Sequence, residues 1–128
     1  MALIKGVLEV QEYEYDFSVD GGATGVIDLS AKANKSVIPA GALKLSAHVL
    51  VQTALVGSGA SAKFGTTASD ADFAANAAVA SYSANALFSD ATAAYVSATG
   101  GDCLMTIAGA ALTAGKVKVY VSYIVPTT

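Results

Sequence analysis

The feature that most limits what this chain can become is strict alternation. Across residues 43–55, Leu43, Leu45, Ala47, Val49, Val51 and Leu55 share one parity, while Lys44, Ser46, His48 and Gln52 share the other. Period two places the apolar set on one face of a strand and the polar set on the opposite face. The same pattern closes the chain, where Val117, Val119, Val121, Tyr123 and Val125 alternate with Lys118, Tyr120, Ser122 and Ile124. The alternation predicts an all-β domain, an antiparallel β-sandwich or jelly-roll-like module. At 128 residues the chain has room for one such domain, 1–128, with residues 1–10 read as an extended N-terminal arm.

Shorter segments follow the same logic. The turn Val56-Gly57-Ser58-Gly59 precedes Ala60, Ala62 and Phe64, which alternate with Ser61 and Lys63 and read as the returning arm of a hairpin. Strands are expected at 25–30, 92–98 and 103–108, and the glycine pairs Gly21-Gly22 and Gly100-Gly101 read as further hairpin turns. Near the N-terminus the phase changes. Leu8 and Val10 are apolar on even numbers, whereas Tyr13, Tyr15 and Phe17 are apolar on odd numbers. Either a β-bulge near Gln11 shifts the register, or the strand passes into a different packing environment there.

Residues 69–98 are rich in small side chains and admit two readings. Ser69 with Asp72 three residues on approximates a capping box and allows one short helix near residues 70–80. Alternatively the tract is extended and lies flat on a partner surface, with Leu87, Phe88 and Tyr95 as anchors.

Composition narrows the function classes. All seven basic residues are lysines and the net charge is −3, so the arginine contacts that read phosphate and guanine are missing and nucleic-acid binding is not expected. No run approaches the ~18 apolar residues of a membrane-spanning helix, and Met1–Gly6 lacks the pattern of a signal peptide, so the protein is expected to be made in the cytoplasm and to bind no membrane. Cys103 is the only cysteine, which excludes an intrachain disulfide and a multi-cysteine zinc site; beside Leu104, Met105 and Ile107 it reads as a buried hydrophobe. Charged residues are 13% of the chain, about half the usual share, and 27 residues are alanine. A surface finished by small neutral side chains suits packing against something else.

Three groups carry side chains capable of chemistry. The ladder Glu12, Glu14 and Asp16, with Glu9 and Asp20, could ligate a divalent cation but reads better as a solvated strand face that also protects an edge. Asp70-Ala71-Asp72 has a metal-like spacing but lacks the glycine and distant glutamate of a calcium loop. His48, the only histidine, lies on a polar strand face with no nucleophile motif near it. No catalytic residue, cofactor or metal is expected, and an enzyme is not.

Two longer motifs look familiar. Val37-Ile38-Pro39-Ala40-Gly41-Ala42 with the strand that follows, Gly57-Ser58-Gly59 and Asp70-Ala71-Asp72-Phe73, together with the ending Leu112-Thr113-Ala114-Gly115-Lys116-Val117 through Ile124, resemble small virion proteins of tailed bacteriophages. The resemblance implies a head decoration or cement protein. Such a module binds the capsid exterior, frequently as a homotrimer, and bridges neighbouring subunits of the major capsid protein. On that reading the bridging contacts are expected from the N-terminal arm, with Leu3, Ile4, Val7 and Leu8. Rival readings are another virion part, such as a head fibre base, tail or adaptor protein, and a carbohydrate-binding or adhesin-like sandwich. The absence of tryptophan weighs against the last of these.

Overall fold

The computed structural model describes residues 7–32, 35, 37–67, 69–90, 94–95 and 101–125; the side chains of Val7, Ala94 and Tyr95 lie outside that description. In chain order the elements are β1 (Val7–Asp16), the single-turn helix α1 (Phe17–Asp20), β2 (Gly25–Asp28), β3 (Leu43–Val56), β4 (Ser61–Gly65), β5 (Ala74–Ala78), β6 (Leu87–Asp90), β7 (Ala94–Tyr95), β8 (Leu104–Ala108) and β9 (Ala114–Val125). One sheet has the order β1-β9-β3-β6, with β7 also pairing β3, and the other has the order β2-β8-β4-β5. All pairings are antiparallel. Successive strands pass from one sheet to the other at nearly every step, and a five-stranded and a four-stranded sheet wired this way form a jelly roll. The all-β sandwich read from the alternation is thus the fold.

That wiring corrects the hairpin reading. β3 and β4 lie in different sheets, so Gly57-Ser58-Gly59 turns a corner of the sandwich instead of closing a two-stranded ladder. Gly21 and Gly22 likewise follow α1 and carry the chain across to β2. Here the close approach is severe: the Gly22 carbonyl accepts from the Leu112 amide at 2.7 Å, and a Cβ on Gly22 would sit 2.0 Å from the Leu112 carbonyl oxygen.

The core forms where inward parities meet. Tyr13, Tyr15, Val49, Val51, Val117, Val119, Val121 and Tyr123 come from the larger sheet; Ala62, Phe64, Met105 and Ile107 come from the smaller. Cys103 is fully buried beside them, and burial pushes its thiol well above the ordinary range. Two buried tyrosines have their hydroxyls satisfied by backbone carbonyls: Tyr15 donates to Gly21 at 2.6 Å and Tyr82 to Ala62 at 3.0 Å.

β1 settles the phase question. Its pairing with β9 runs unbroken from Val7↔Val125 to Asp16↔Lys116, so there is no bulge at Gln11. Instead Tyr13 and Tyr15 face the core, while Leu8 and Val10 point to the outer face and stay 65% and 62% exposed. The change is one of environment. Residues 7–10, read as the end of an arm, are part of this strand; Leu3 and Ile4 lie outside the described residues. Phe17, expected to continue the strand, opens α1, whose N-cap Asp16 accepts from the Ser18 amide at 2.9 Å.

The bulge occurs in β3. Lys44 pairs with Tyr123 and Ser46 with Ser122, leaving Leu45 as the extra residue. Before it the even residues Ala42 and Lys44 face inward; after it the odd residues Ala47, Val49 and Val51 do. Lys44, placed on the polar face by the alternation, is therefore buried, and Leu43 sits half-buried on the outer face beside Ile124.

The helix expected near residues 70–80 is absent. Ala74–Ala78 is strand β5, paired with β4, and a 3₁₀ turn at Val79–Ser81 follows it. Asp72 does not serve a helix terminus because its carboxylate is engaged by Lys44, and the Ser69 amide donates to the Thr66 hydroxyl in a tight turn. We expect Gly22→Ala to lower the unfolding free energy by about 1–3 kcal/mol, through backbone displacement at the α1 corner. Thr24→Ala, exposed in the same loop, should change it by under about 0.5 kcal/mol. Urea unfolding of the two variants checks the contrast.

Candidate functional site

Three arrangements emerge once the strands are in place. The first is the buried lysine. Lys44 Nζ donates to the Asp72 backbone carbonyl, the Asp72 carboxylate and the Asp90 carboxylate, each at 3.0 Å, and lies 5.8 Å from the centre of the Phe73 ring. An ammonium has three N–H donors, so these three acceptors saturate it. Asp72 leads into β5 of the smaller sheet, while Asp90 ends β6 of the larger one. A single cation therefore fastens the two sheets together where their edge strands meet. Beside it, between β5 and β6, lies a cleft of about 290 Å³ lined by Ala71, Phe73, Ala74, Ala75, Phe88, Ser89 and Asp90.

The second arrangement covers the outer face and edge of β1. The acidic ladder is met by lysines of β9: Lys118 bonds Glu12 and lies 3.4 Å from Glu14. The hydrogen bond from Lys118 holds the Glu12 carboxyl below its ordinary value, and the same bond raises Lys118. Past Glu14 the strand edge is closed by the chain itself. Lys32 donates to the Glu14 carbonyl and pairs with Asp20 at 2.7 Å, while Asp20 accepts from the Asp16 amide at 2.9 Å. These two bonds show that even-numbered residues of β1 turn their backbone groups toward the edge. At Leu8 and Val10 no described residue covers that edge, and both side chains are exposed.

The third is the set of sequence candidates. Asp70 pairs with Lys63 at 2.8 Å, so both aspartates of Asp70-Ala71-Asp72 hold lysines. His48 Nδ1 meets the Ser89 hydroxyl at 3.0 Å across the β3–β6 pair, on the outer face. Among the described residues no three His, Cys, Asp or Glu side chains converge as metal ligands. Of the expected interface anchors, Leu87 is 61% exposed on edge strand β6, while Phe88 turns inward and stacks on Tyr82 at 4.6 Å. The structure does not bring Leu8 and Leu87 together: they lie on opposite edge strands of the larger sheet. The lysine and its cleft went unnoticed in the sequence because the bulge that turns Lys44 inward leaves no mark in the alternation.

The same arrangement of strands occurs in solved phage capsid structures. The chain is similar to one in the acid-stable capsid of Helicobacter pylori bacteriophage KHP30, with a TM-score of 0.66 and 15% identity over 97% of this chain and 92% of that one. It is similar as well to a chain of the cyanophage Pam1 capsid asymmetric unit (TM-score 0.62, 21% identity, 98% and 90%) and to one in the capsid of Ralstonia phage GP4 (0.65, 14%, 100% and 90%). At these identities the likeness is one of fold. No family model and no curated sequence matches the chain.

Two outcomes follow. Removing the cation with Lys44→Met leaves two carboxylates facing each other across the seam and should cost about 1–3 kcal/mol in chemical denaturation. Because the Glu12 carboxyl is lowered in the folded state, its contribution is present above pH 4.5 and is lost as pH falls through the folded value. Lys118, being raised, loses its share only above pH 10.5. The melting temperature should therefore fall with acidification below pH 4.5, and less steeply in Glu12→Gln.

Proposed function

We propose that this protein is a structural component of a bacteriophage virion, a decoration or cement protein that binds the outer face of the head lattice without a cofactor. The observation that carries this reading is the shared jelly roll: it spans 97–100% of this chain and at least 90% of chains from three separate phage capsid structures. The protein has no catalytic role on this reading, and it needs neither nucleic acid nor membrane. It is made in the host cytoplasm, assembles as a homotrimer and spans neighbouring subunits of the major capsid protein.

Physical economy supports such a role. A trimer engaging three equivalent sites needs only a modest contact at each, because linked binding events multiply. The start of β1 offers such a contact. Leu8 and Val10 are apolar and exposed, and they lead directly from the N-terminal residues that include Leu3 and Ile4. Leu87 marks a second exposed apolar position on the opposite edge.

Deleting residues 1–6 should leave a folded module that no longer occupies capsids, and Leu8→Ser with Val10→Ser should reduce occupancy at least about tenfold at fixed protein concentration. Co-sedimentation with capsids assembled without the protein measures both, and unchanged occupancy overturns this contact. A copy number per virion that matches the lattice supports decoration; a number matching a single vertex indicates a tail or adaptor part.

A further inference from the structure

Among the described residues Lys44 is the one charged side chain that is fully buried, and it meets more than an ion pair requires. Its Nζ touches two separate carboxylates, Asp72 Oδ1 and Asp90 Oδ2, each at 3.0 Å. Its third N–H goes to the Asp72 backbone carbonyl, also at 3.0 Å. An amine, a carboxyl group to receive it and a second carboxyl group to carry protons are the parts that amide formation needs. Here all three are in contact inside the sandwich.

The geometry distinguishes the roles. Two bonds tie Nζ to Asp72 and one ties it to Asp90, so Asp72 is the residue against which the amine is held. The lysine side chain is 0% exposed, while those of Asp72 and Asp90 are 20% and 27% exposed, so the nucleophile is shielded and a released water has a way out past the carboxylates. Holding the groups in contact turns a bimolecular condensation into an intramolecular one. Burial favours the product as well, because an ammonium and a carboxylate become one uncharged amide and the cost of keeping that charge inside disappears. Lys118 provides the contrast: it too reaches two carboxylates, Glu12 and Glu14, but its side chain is 24% exposed on the outer sheet face, where water competes for each of them.

We propose that Lys44 and Asp72 join in an intramolecular isopeptide bond, with Asp90 as the proton carrier, and that the ion pair described above is the state from which it forms. Asp90 takes one proton from Nζ and passes it to an Asp72 carboxyl oxygen. The lone pair freed on Nζ attacks Asp72 Cγ, and the Nζ–Cγ bond forms. A second proton moves from Nζ through Asp90 to the same oxygen, the Cγ–O bond breaks, and water leaves. Two protons of the ammonium and one carboxylate oxygen make up that water, Asp90 ends as it began, and no cofactor, oxidant or activating nucleotide is consumed. Asp90 needs for this only the oxygen that already touches Nζ. The bond ties β3 of the larger sheet to the segment entering β5 of the smaller one, 28 positions apart in sequence, and restricts the unfolded chain as any cross-link does. It is independent of the virion reading.

The test is intact mass spectrometry of the denatured full chain, freshly purified and after prolonged incubation in the folded state at neutral pH, followed by a digest. The chain should be one water, about 18 Da, lighter than its sequence, and the digest should yield a branched peptide joining Lys44 to Asp72. Lys44→Met should keep its full sequence mass. Asp90→Ala leaves Lys44 bonded to both oxygens of Asp72 and, with its fold checked by circular dichroism, should form the bond at least about a hundredfold more slowly. The proposal is overturned by an unchanged mass in the parent chain or by a missing water that persists in Lys44→Met, as ring closure at an aspartate would give. It is equally overturned by a branched peptide joining Lys44 to Asp90, or by a folded Asp90→Ala variant that links as fast as the parent.

Discussion

The structure turns on one ammonium group. Lys44 is the largest charged side chain in the interior, and an ionised lysine is tolerated there only because three acceptors receive it at 3.0 Å. Two of those acceptors are carboxylates anchored in different sheets, so satisfying the lysine fixes the spacing of β5 and β6. Removing one member leaves charge without a partner, which is why such pairs specify geometry more surely than they add stability. Ring packing continues the same seam, with Phe64, Tyr82 and Phe88 in succession and the Tyr82 hydroxyl bonded to β4. The cleft exists because the two edge strands meet at this node without closing over it.

The opposite side of the larger sheet is managed differently. β1 is an edge strand, and an open edge invites pairing with other chains. Asp20 and Lys32 occupy the edge beside Asp16 and Glu14, and they do so with side chains delivered by α1 and by the turn after β2. At the start of the strand the side chains of Leu8 and Val10 stay exposed, and no described residue covers them. One strand thus carries both a blocked half and an available half, and the acidic ladder with its β9 lysines marks the division.

Much of this was legible in the sequence, and the limits have physical causes. Alternation identified β3, β8 and β9 because apolar side chains in a sandwich must share a face, and the core positions at Val49, Val51, Val117, Val119, Val121 and Tyr123 followed directly. Alternation states which face a residue takes but not which strand lies beside it. The corners at Gly57-Ser58-Gly59 and Gly21-Gly22 therefore looked like hairpins, since a change of sheet and a hairpin ask for the same glycines. Lys44 was misplaced because a bulge inverts parity without altering composition. For Ala74–Ala78 the sequence leaves helix and extended chain open because alanine has little strand preference of its own; pairing with β4 decides it.

The wiring also governs when the protein can exist. Among the described residues β1 pairs with β9 alone, so Val7 waits for Val125, and β2 waits for β8. Almost every ladder joins segments distant along the chain, which raises the entropy to be overcome before any pairing is rewarded. The larger sheet therefore cannot close until β9 has been made, and its folding is a late, concerted event. Until then Leu8 and Val10 lack their β9 partner, so a cell filling with copies must complete folding quickly or lose them to aggregation.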